Sequence, residues 1–382
     1  MHVLFIPKWY PGPRDPQLGD FIRKQAIALS QQAKVSVLYV SIDRNAPQDQ
    51  MQQVVEQDGI WELHCRYKGS SVSNAFLRRI LNFPAYLRSV RQGIKIFEEE
   101  RGKPDLLHAH VLVRPAWIAW RLSRRYRVPF IISEHSSEYL DGTFDRKGWL
   151  FKGWSRFLFS KAAAVTVVSR WLGDPLVERG LIDRYSILPN VVPGLDRALP
   201  AEGDPKHFLI VADLVDRIKN VSGLLRSFAG ARRTDKELRL DIIGDGPDRM
   251  MLEKLATDLQ LPGCVHFHGK LPNHLVLDRI SVCGCVIINS NVETFSVVTG
   301  EALALGKPVI ATRCGGPTAF VTEANGILIA PKDDVALTGA ILRIARREFR
   351  STPVQIRNSV SDRYSYTAVG NALMDLYKQV LG

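Results

Sequence analysis

Between Cys285 and Pro317 the chain reads CVIINSNVETFSVVTGEALALGKPVIATRCGGP, and this stretch leaves little freedom of fold. Cys285 to Ile288 is an apolar run of strand length, and Val309-Ile310-Ala311 begins another. Between them Glu293-Thr294-Phe295-Ser296 forms a polar turn and Val297 to Leu305 reads as a helix, which Gly306-Lys307-Pro308 stops. Strand, turn, helix, strand is the repeating unit of a parallel sheet, and its turn lies at the carboxyl edge, where ligands bind. The amides of Phe295, Ser296 and Val297 open the helix and face any anion placed there. Glu293 and Glu301 stand about two helical turns apart, so both project toward one side.

A chain of 382 residues is too long for one ordinary core and suits two domains. No apolar run reaches the roughly 18 residues needed to span a bilayer. A strand-like segment follows directly on Met1-His2, so no signal peptide is expected. Cys65, Cys264, Cys283, Cys285 and Cys314 are scattered, and no Cys/His cluster accompanies Cys283 and Cys285. No metal site is expected from them, and a reducing cytoplasm suits buried free thiols. The net charge of +12 is uneven: residues 1–200 hold 29 Lys and Arg against 19 Asp and Glu, residues 201–382 hold 22 against 20. No nucleic-acid-binding module is recognisable. The basic first half therefore suits anionic lipid headgroups, a phosphate-bearing acceptor, or plain solvation.

The opening reads strand (Val3 to Ile6), loop, helix (Phe21 to Gln32), strand (Val35 to Val40), the start of a doubly wound sheet. Gly19 and Asp20 sit at that helix start, with Arg14, Arg23 and Lys24 near enough to add positive charge. Residues 45 to 70 are polar and mixed, with a strand near Trp61 to Cys65. From Asn74 to Glu100, Phe76, Leu77, Ile80, Leu81, Phe83 and their neighbours alternate with arginines at helical spacing. Such a stretch either packs on the sheet or lies on a membrane surface. Strands end at His108-Ala109-His110 and at Ser133-Glu134-His135. Two histidines two positions apart on a strand face one side, and a proton acceptor for an incoming hydroxyl could come from His110, Glu134 or His135. Ala163 to Ser169 is a further strand, and residues 191–206 have linker composition.

The second half restarts with the strand His207 to Val211, followed by the loop Ala212 to Asn220 and a helix from Val221 to Arg233. Leu240 to Pro247 is a strand and turn, Val265 to Leu271 a short strand, and Leu337 to Arg347 a helix. Gly244, Gly246 and Gly269 mark places where backbone approaches closely.

The Glu293-x7-Glu301 pattern, within ETFSVVTGEALALGKPVIAT, resembles the EX7E motif of retaining glycosyltransferases of the GT-B fold, family 4 (glycosyl transferases group 1). The resemblance implies an α/β chain of two Rossmann-like domains facing a cleft. Residues 1–195 would form the acceptor side, with the helix 364–382 packing back on it, and 196–363 would bind the donor. It implies that Glu293 contacts the donor sugar, Glu301 the ribose, and the amides of 294–297 sugar and phosphate. Gly19, Gly244 and Leu271 fall at donor-binding positions. His110 matches the second histidine of the family's His-x-His strand end, near the reacting centre, with Glu134 and His135 beside it. Lys219 matches a lysine that clamps the diphosphate. Asp213 stands where the family has arginine, which leaves Arg217 to supply the second charge.

The implied activity is retaining, metal-independent transfer of a sugar from a UDP- or GDP-sugar to an acceptor hydroxyl, in cell-surface polysaccharide or glycolipid assembly. The nucleotide sugar is a co-substrate, and no cofactor is expected. Expected partners are that donor, a glycan or lipid-linked acceptor and an anionic membrane surface, with no nucleic acid. The expected location is cytoplasmic, membrane association being left open. Two alternatives stand beside this one: a sugar nucleotide epimerase of the same fold, and a catalytically degenerate sugar nucleotide-binding protein, made thinkable by Asp213.

Overall fold

The computed structural model describes residues 1–13, 15–44 and 50–382, and of Ala75, Phe76 and Arg79 the backbone alone. The chain forms two compact units, Met1–Val191 with Tyr366–Gly382, and Val192–Ser365.

The first unit is built on eight strands: β1 (His2–Pro7), β2 (Lys34–Asp43), β3 (Gln50–Gln57), β4 (Ile60–Lys68), β5 (Leu106–His110), β6 (Phe130–Glu134), β7 (Ala164–Val167) and β8 (Ser186–Ile187). They lie in the order β3-β4-β2-β1-β5-β6-β7-β8. Every pair is parallel except β3 with β4. The central strands β1, β5 and β6 are buried at every residue, as helices on both faces require. Edge strand β3, QMQQVVEQ, is mostly exposed and has no apolar signature. It exists because Asp58 and Gly59 both take positive φ, at 54° and 76°, the geometry of a two-residue hairpin turn. The last helix, Tyr366–Leu381, returns to this unit and packs along Asp20–Ser30.

The second unit carries β9 (Asp204–Val211), β10 (Arg239–Ile243), β11 (Val265–Gly269), β12 (Cys283–Ile288), β13 (Val309–Thr312) and β14 (Gly326–Ile329). All are parallel, in the order β11-β10-β9-β12-β13-β14. Chain order reverses between β9 and β12, so a crevice opens beyond their carboxyl ends, the place where doubly wound sheets bind nucleotides. In the first unit the reversal falls between β1 and β5, which end at Pro7 and His110.

The turns that reach the β9 end are packed backbone to backbone. Gly244 has φ 136°, and a Cβ there would stand 1.8 Å from the Ala212 carbonyl oxygen. Its role is to let the turn after β10 close on the loop after β9. Gly244→Ala should therefore destabilise the second unit by at least about 2 kcal/mol in urea unfolding. Gly339→Ala, in the helix Asp334–Ala345 with open space around its Cβ, should instead gain about 0.5–1 kcal/mol. Equal effects at the two positions would contradict this packing.

Candidate functional site

At the second unit's reversal, the loop after β9 and the loop after β12 are laced together. Asn291 donates from its amide to the Ile218 carbonyl at 2.7 Å and from Nδ2 to the Arg217 carbonyl at 2.9 Å. Asn289 Nδ2 donates to the Asn220 carbonyl at 2.9 Å. These bonds bring Lys219 Nζ to 2.6 Å from Glu293 Oε1, which also accepts from Ser290 Oγ at 2.8 Å. Burial works against the charge on Lys219, but Glu293 and then Asp213 outweigh it and hold its pKa above the ordinary lysine value. The ammonium stays charged in the crevice.

The turn bearing Glu293 is clamped from its other side. The Glu293 amide donates to the Cys314 carbonyl at 3.0 Å, and Gly316 N donates to the Glu293 carbonyl at 2.8 Å. A Cβ on Gly316 would meet the Phe295 carbonyl at 2.4 Å, so a glycine is required where the loop after β13 crosses the turn. Phe295 is 3% exposed and packs edge-on against Phe320, anchoring the turn from below. Ser296 takes a left-handed conformation, φ 68°, ahead of the helix Val297–Ala304. The amides of Phe295, Ser296 and Val297 donate to no acceptor among the described residues. Glu301, one turn into that helix and 2% exposed, accepts from Asn273 Nδ2 at 2.7 Å. The crevice thus offers one cation, two carboxylates and three unsatisfied amides, a set suited to a sugar joined to a phosphate.

In the first unit the two histidines of β5 have different surroundings, although their ring centroids lie 4.1 Å apart. His108 is tied on both sides, to Tyr377 Oη at 2.6 Å and Ser133 Oγ at 2.7 Å. His110 is fully buried, and neither ring nitrogen has a partner among the described residues. The same holds for the nitrogens of His135, whose ring stacks on His110 at 5.8 Å. Glu134 is committed to backbone: Oε1 accepts from the amides of His135 and Ser136, and Oε2 from that of Leu112. Burial raises its pKa, against the pull of those amides. Val111 and Val113, which flank Leu112, both have φ 70°, a costly conformation for a branched side chain. Glu134 serves to hold that strained loop.

The family described as Glycosyl transferases group 1 matches residues 194–360, and the one described as Glycosyl transferase 4-like domain matches residues 21–191. The chain belongs to the group 1 glycosyltransferases of the GT-B fold. It is 26% identical over 331 residues to a D-inositol 3-phosphate glycosyltransferase of Frankia alni, covering 78% of this chain and 81% of that protein. Sucrose-phosphate synthase from Thermosynechococcus elongatus superposes with a TM-score of 0.76 at 18% identity, covering 100% of this chain and 99% of that one. Anabaena HepE, solved in complex with UDP, gives 0.70 at 16% identity, covering 99% and 100%. At those identities the solved structures speak for the fold.

Within this glycosyltransferase the expected residues gather in two places. Lys219, Glu293, Thr294, Phe295, Ser296, Val297 and Glu301 share the second unit's crevice. Arg217 lies two residues from Lys219, exposed and making no side-chain bond to a described residue. Gly244 closes a turn, and its amide is taken by the Gly269 carbonyl at 2.8 Å. Leu271 is half-buried beyond β11. Gly19, φ 67°, presses on the Trp9 carbonyl. Two of the basic candidates beside Gly19 are corrected by the structure. Arg23 is spent on Glu62 and Asp58, both at 2.8 Å, and Lys24 on Asp20. Arg14 lies outside the described residues. Asn273 was missed; its one signal is an asparagine opening the helix Asn273–Val282 just after β11.

The buried histidines make stability depend on pH. Burial pushes His108 and His135 to about 3, and His110 well below its ordinary value. Below about pH 6.5 the unfolded chain binds protons that the folded unit refuses, so stability falls as pH drops from there toward 3. Each neutral histidine contributes a slope of about 1.4 kcal/mol per pH unit. His135→Gln should flatten the melting-temperature curve between about pH 6.5 and 5; an unchanged slope would show that His135 is not held neutral.

Proposed function

We propose that the protein is a retaining glycosyltransferase that moves a sugar from a UDP- or GDP-sugar to a hydroxyl of a glycan or lipid-linked acceptor. The reading is supported above all by the Lys219–Glu293 contact, 2.6 Å long, at the point where the second sheet reverses. Lys219 would neutralise charge gathering on the departing diphosphate, and the amides of 295–297 would bind the same group. Glu293 would fix the sugar, and Glu301, held by Asn273, the ribose. Arg217 would supply the second cation that Asp213 does not. On the acceptor side, His110 with its nitrogens unpartnered among the described residues would lie near the reacting hydroxyl, with His135 beside it and Glu134 in support. The departing phosphate oxygen would take the acceptor proton from the face the leaving group occupies, which preserves anomeric configuration without a metal. UDP bound to a neighbour of the same fold makes UDP-sugars the first donors to test. The basic first half and the relative acting on an inositol phosphate favour an acceptor bearing phosphate. Assembly of cell-surface polysaccharide or glycolipid at the cytoplasmic face of a membrane is the proposed setting.

Glu301→Ala and Lys219→Met should keep the fold, lose thermal stabilisation by UDP, and lower transfer at least about 100-fold. Product analysis with and without acceptor separates transfer from epimerisation. Undiminished UDP stabilisation in both variants would remove the crevice from the mechanism.

A further inference from the structure

A cavity of about 410 Å³ lies in the first unit, against the carboxyl end of β1 and the middle of β2, where Leu38 and Val40 line it. Its apolar wall comes from three helices, with Tyr86 from Ala75–Arg101, Ile118 from Arg114–Tyr126 and Phe151 from Trp149–Lys161. Its charged groups are Lys8, Arg114, Lys147 and Glu138. Lys147 pairs with Glu138 at 3.0 Å, whereas Lys8 and Arg114 pair with no carboxylate of a described residue. The Arg114 guanidinium lies 4.7 Å over the Tyr86 ring, and both residues line the cavity. The strained loop at Val113 forms part of the rim, and Lys8 N donates to the His110 carbonyl at 3.1 Å. A chamber with apolar walls and two cations outside any ion pair among the described residues suits a phosphate carried on an apolar chain.

The outer faces of the same three helices carry a related chemistry. The three helices together contain thirteen Lys and Arg against three acids, Glu98, Glu99 and Glu100, all in the last turn of the first helix. Their exposed apolar side chains include Leu81 at 54%, Phe83 at 45%, Trp149 at 79% and Leu150 at 67%. Ring contacts of Phe83 with Trp117 and of Trp120 with Trp154 join the three helices side by side. A face that is only solvated mixes both signs of charge and keeps large apolar groups few. Arg125 pairs with Glu98 and Lys95 with Glu99, at one end of the first helix; aromatic and aliphatic groups set among the remaining excess of cations match the headgroup layer of an anionic bilayer.

We infer that these three helices lie against an anionic lipid surface and that the cavity between them binds the phosphate of a lipid drawn from it. The inference rests on the first unit being the acceptor side, and names the acceptor's class as a phosphate-bearing lipid.

The test uses binding and needs no turnover. The full chain should co-sediment with phosphatidylcholine vesicles containing phosphatidylglycerol and not with phosphatidylcholine alone. Trp149→Ser with Leu150→Ser should weaken that binding at least about tenfold. Arg114→Gln with Lys8→Gln should keep vesicle binding but lose saturable calorimetric binding of dihexanoyl phosphatidic acid. Melting curves and UDP stabilisation, read in every variant, report the fold and the second unit separately. The inference is overturned by equal binding to neutral vesicles, by an unaffected Trp149/Leu150 variant, or by a cavity variant that still binds the short-chain lipid. Inorganic phosphate or glucose 6-phosphate binding as tightly as that lipid would make the ligand a soluble phosphate, and RNA displacing vesicles from the helices would make the face a nucleic-acid surface; either result overturns it. Lipid binding with no transfer from any donor would leave this inference standing and sink the glycosyl-transfer reading instead.

Discussion

Lys219 and Glu293 meet across the reversal in strand order of the second sheet, and the architecture of that unit is arranged to let them. They come from loops 74 residues apart in sequence. Neither loop is in regular pairing, yet three bonds from Asn289 and Asn291 fix their separation. The charges are mutually screened but remain partly open, with side-chain exposures of 21% and 14%. A fully buried pair would be closed to ligand, and a fully exposed one would be loosely placed. The pair also shows why glycines crowd here: Gly244 and Gly316 are where one loop backbone crosses another, and their service is to packing before ligand.

The first unit solves a different problem. It keeps a run of imidazoles in its core at the end of β5 and β6, uncharged, with His110 stacked on His135 and tilted against His108. Tyr377 and Ser133 satisfy one of them; the other two have no partner among the described residues. Unsatisfied polar groups in a packed interior are costly. The strained valines beside them lie at the same edge, so the costs of this unit are concentrated where its sheet order reverses. Such concentration is the ordinary mark of a site rather than of a scaffold.

Much of the fold could be read directly from residues, because strands buried on both faces appear as unbroken apolar runs. The segments 3–6, 207–211, 285–288 and 309–311 are of that kind. Strand β3 was illegible for the converse reason: an edge strand needs no apolar face, and its only clue was Asp58-Gly59. The glutamates and lysine were legible through spacing and resemblance. His108 and His110 were not separable, since alternation places both on one face and only the surrounding fold gives His108 its partners. Arg23 misled because a basic residue beside a glycine loop says nothing of the acids, Asp58 and Glu62, that the fold brings up to it. Lys24 misled because its local partner Asp20, one turn back on the same helix, takes up its charge. Asn273 escaped notice because its partner, Glu301, lies 28 residues away.

The last helix belongs to the unit that the first strand began. During synthesis the opening sheet therefore waits, with the imidazole of His108 lacking its phenol partner, until residue 377 has left the ribosome. The whole second unit is made in the interval, as an insertion between two parts of one core. A nascent chain halted after residue 365 but before residue 377 would hold a finished second unit and an unclosed first one. Maturation of the two units is thus ordered by topology, with the later-made one complete first.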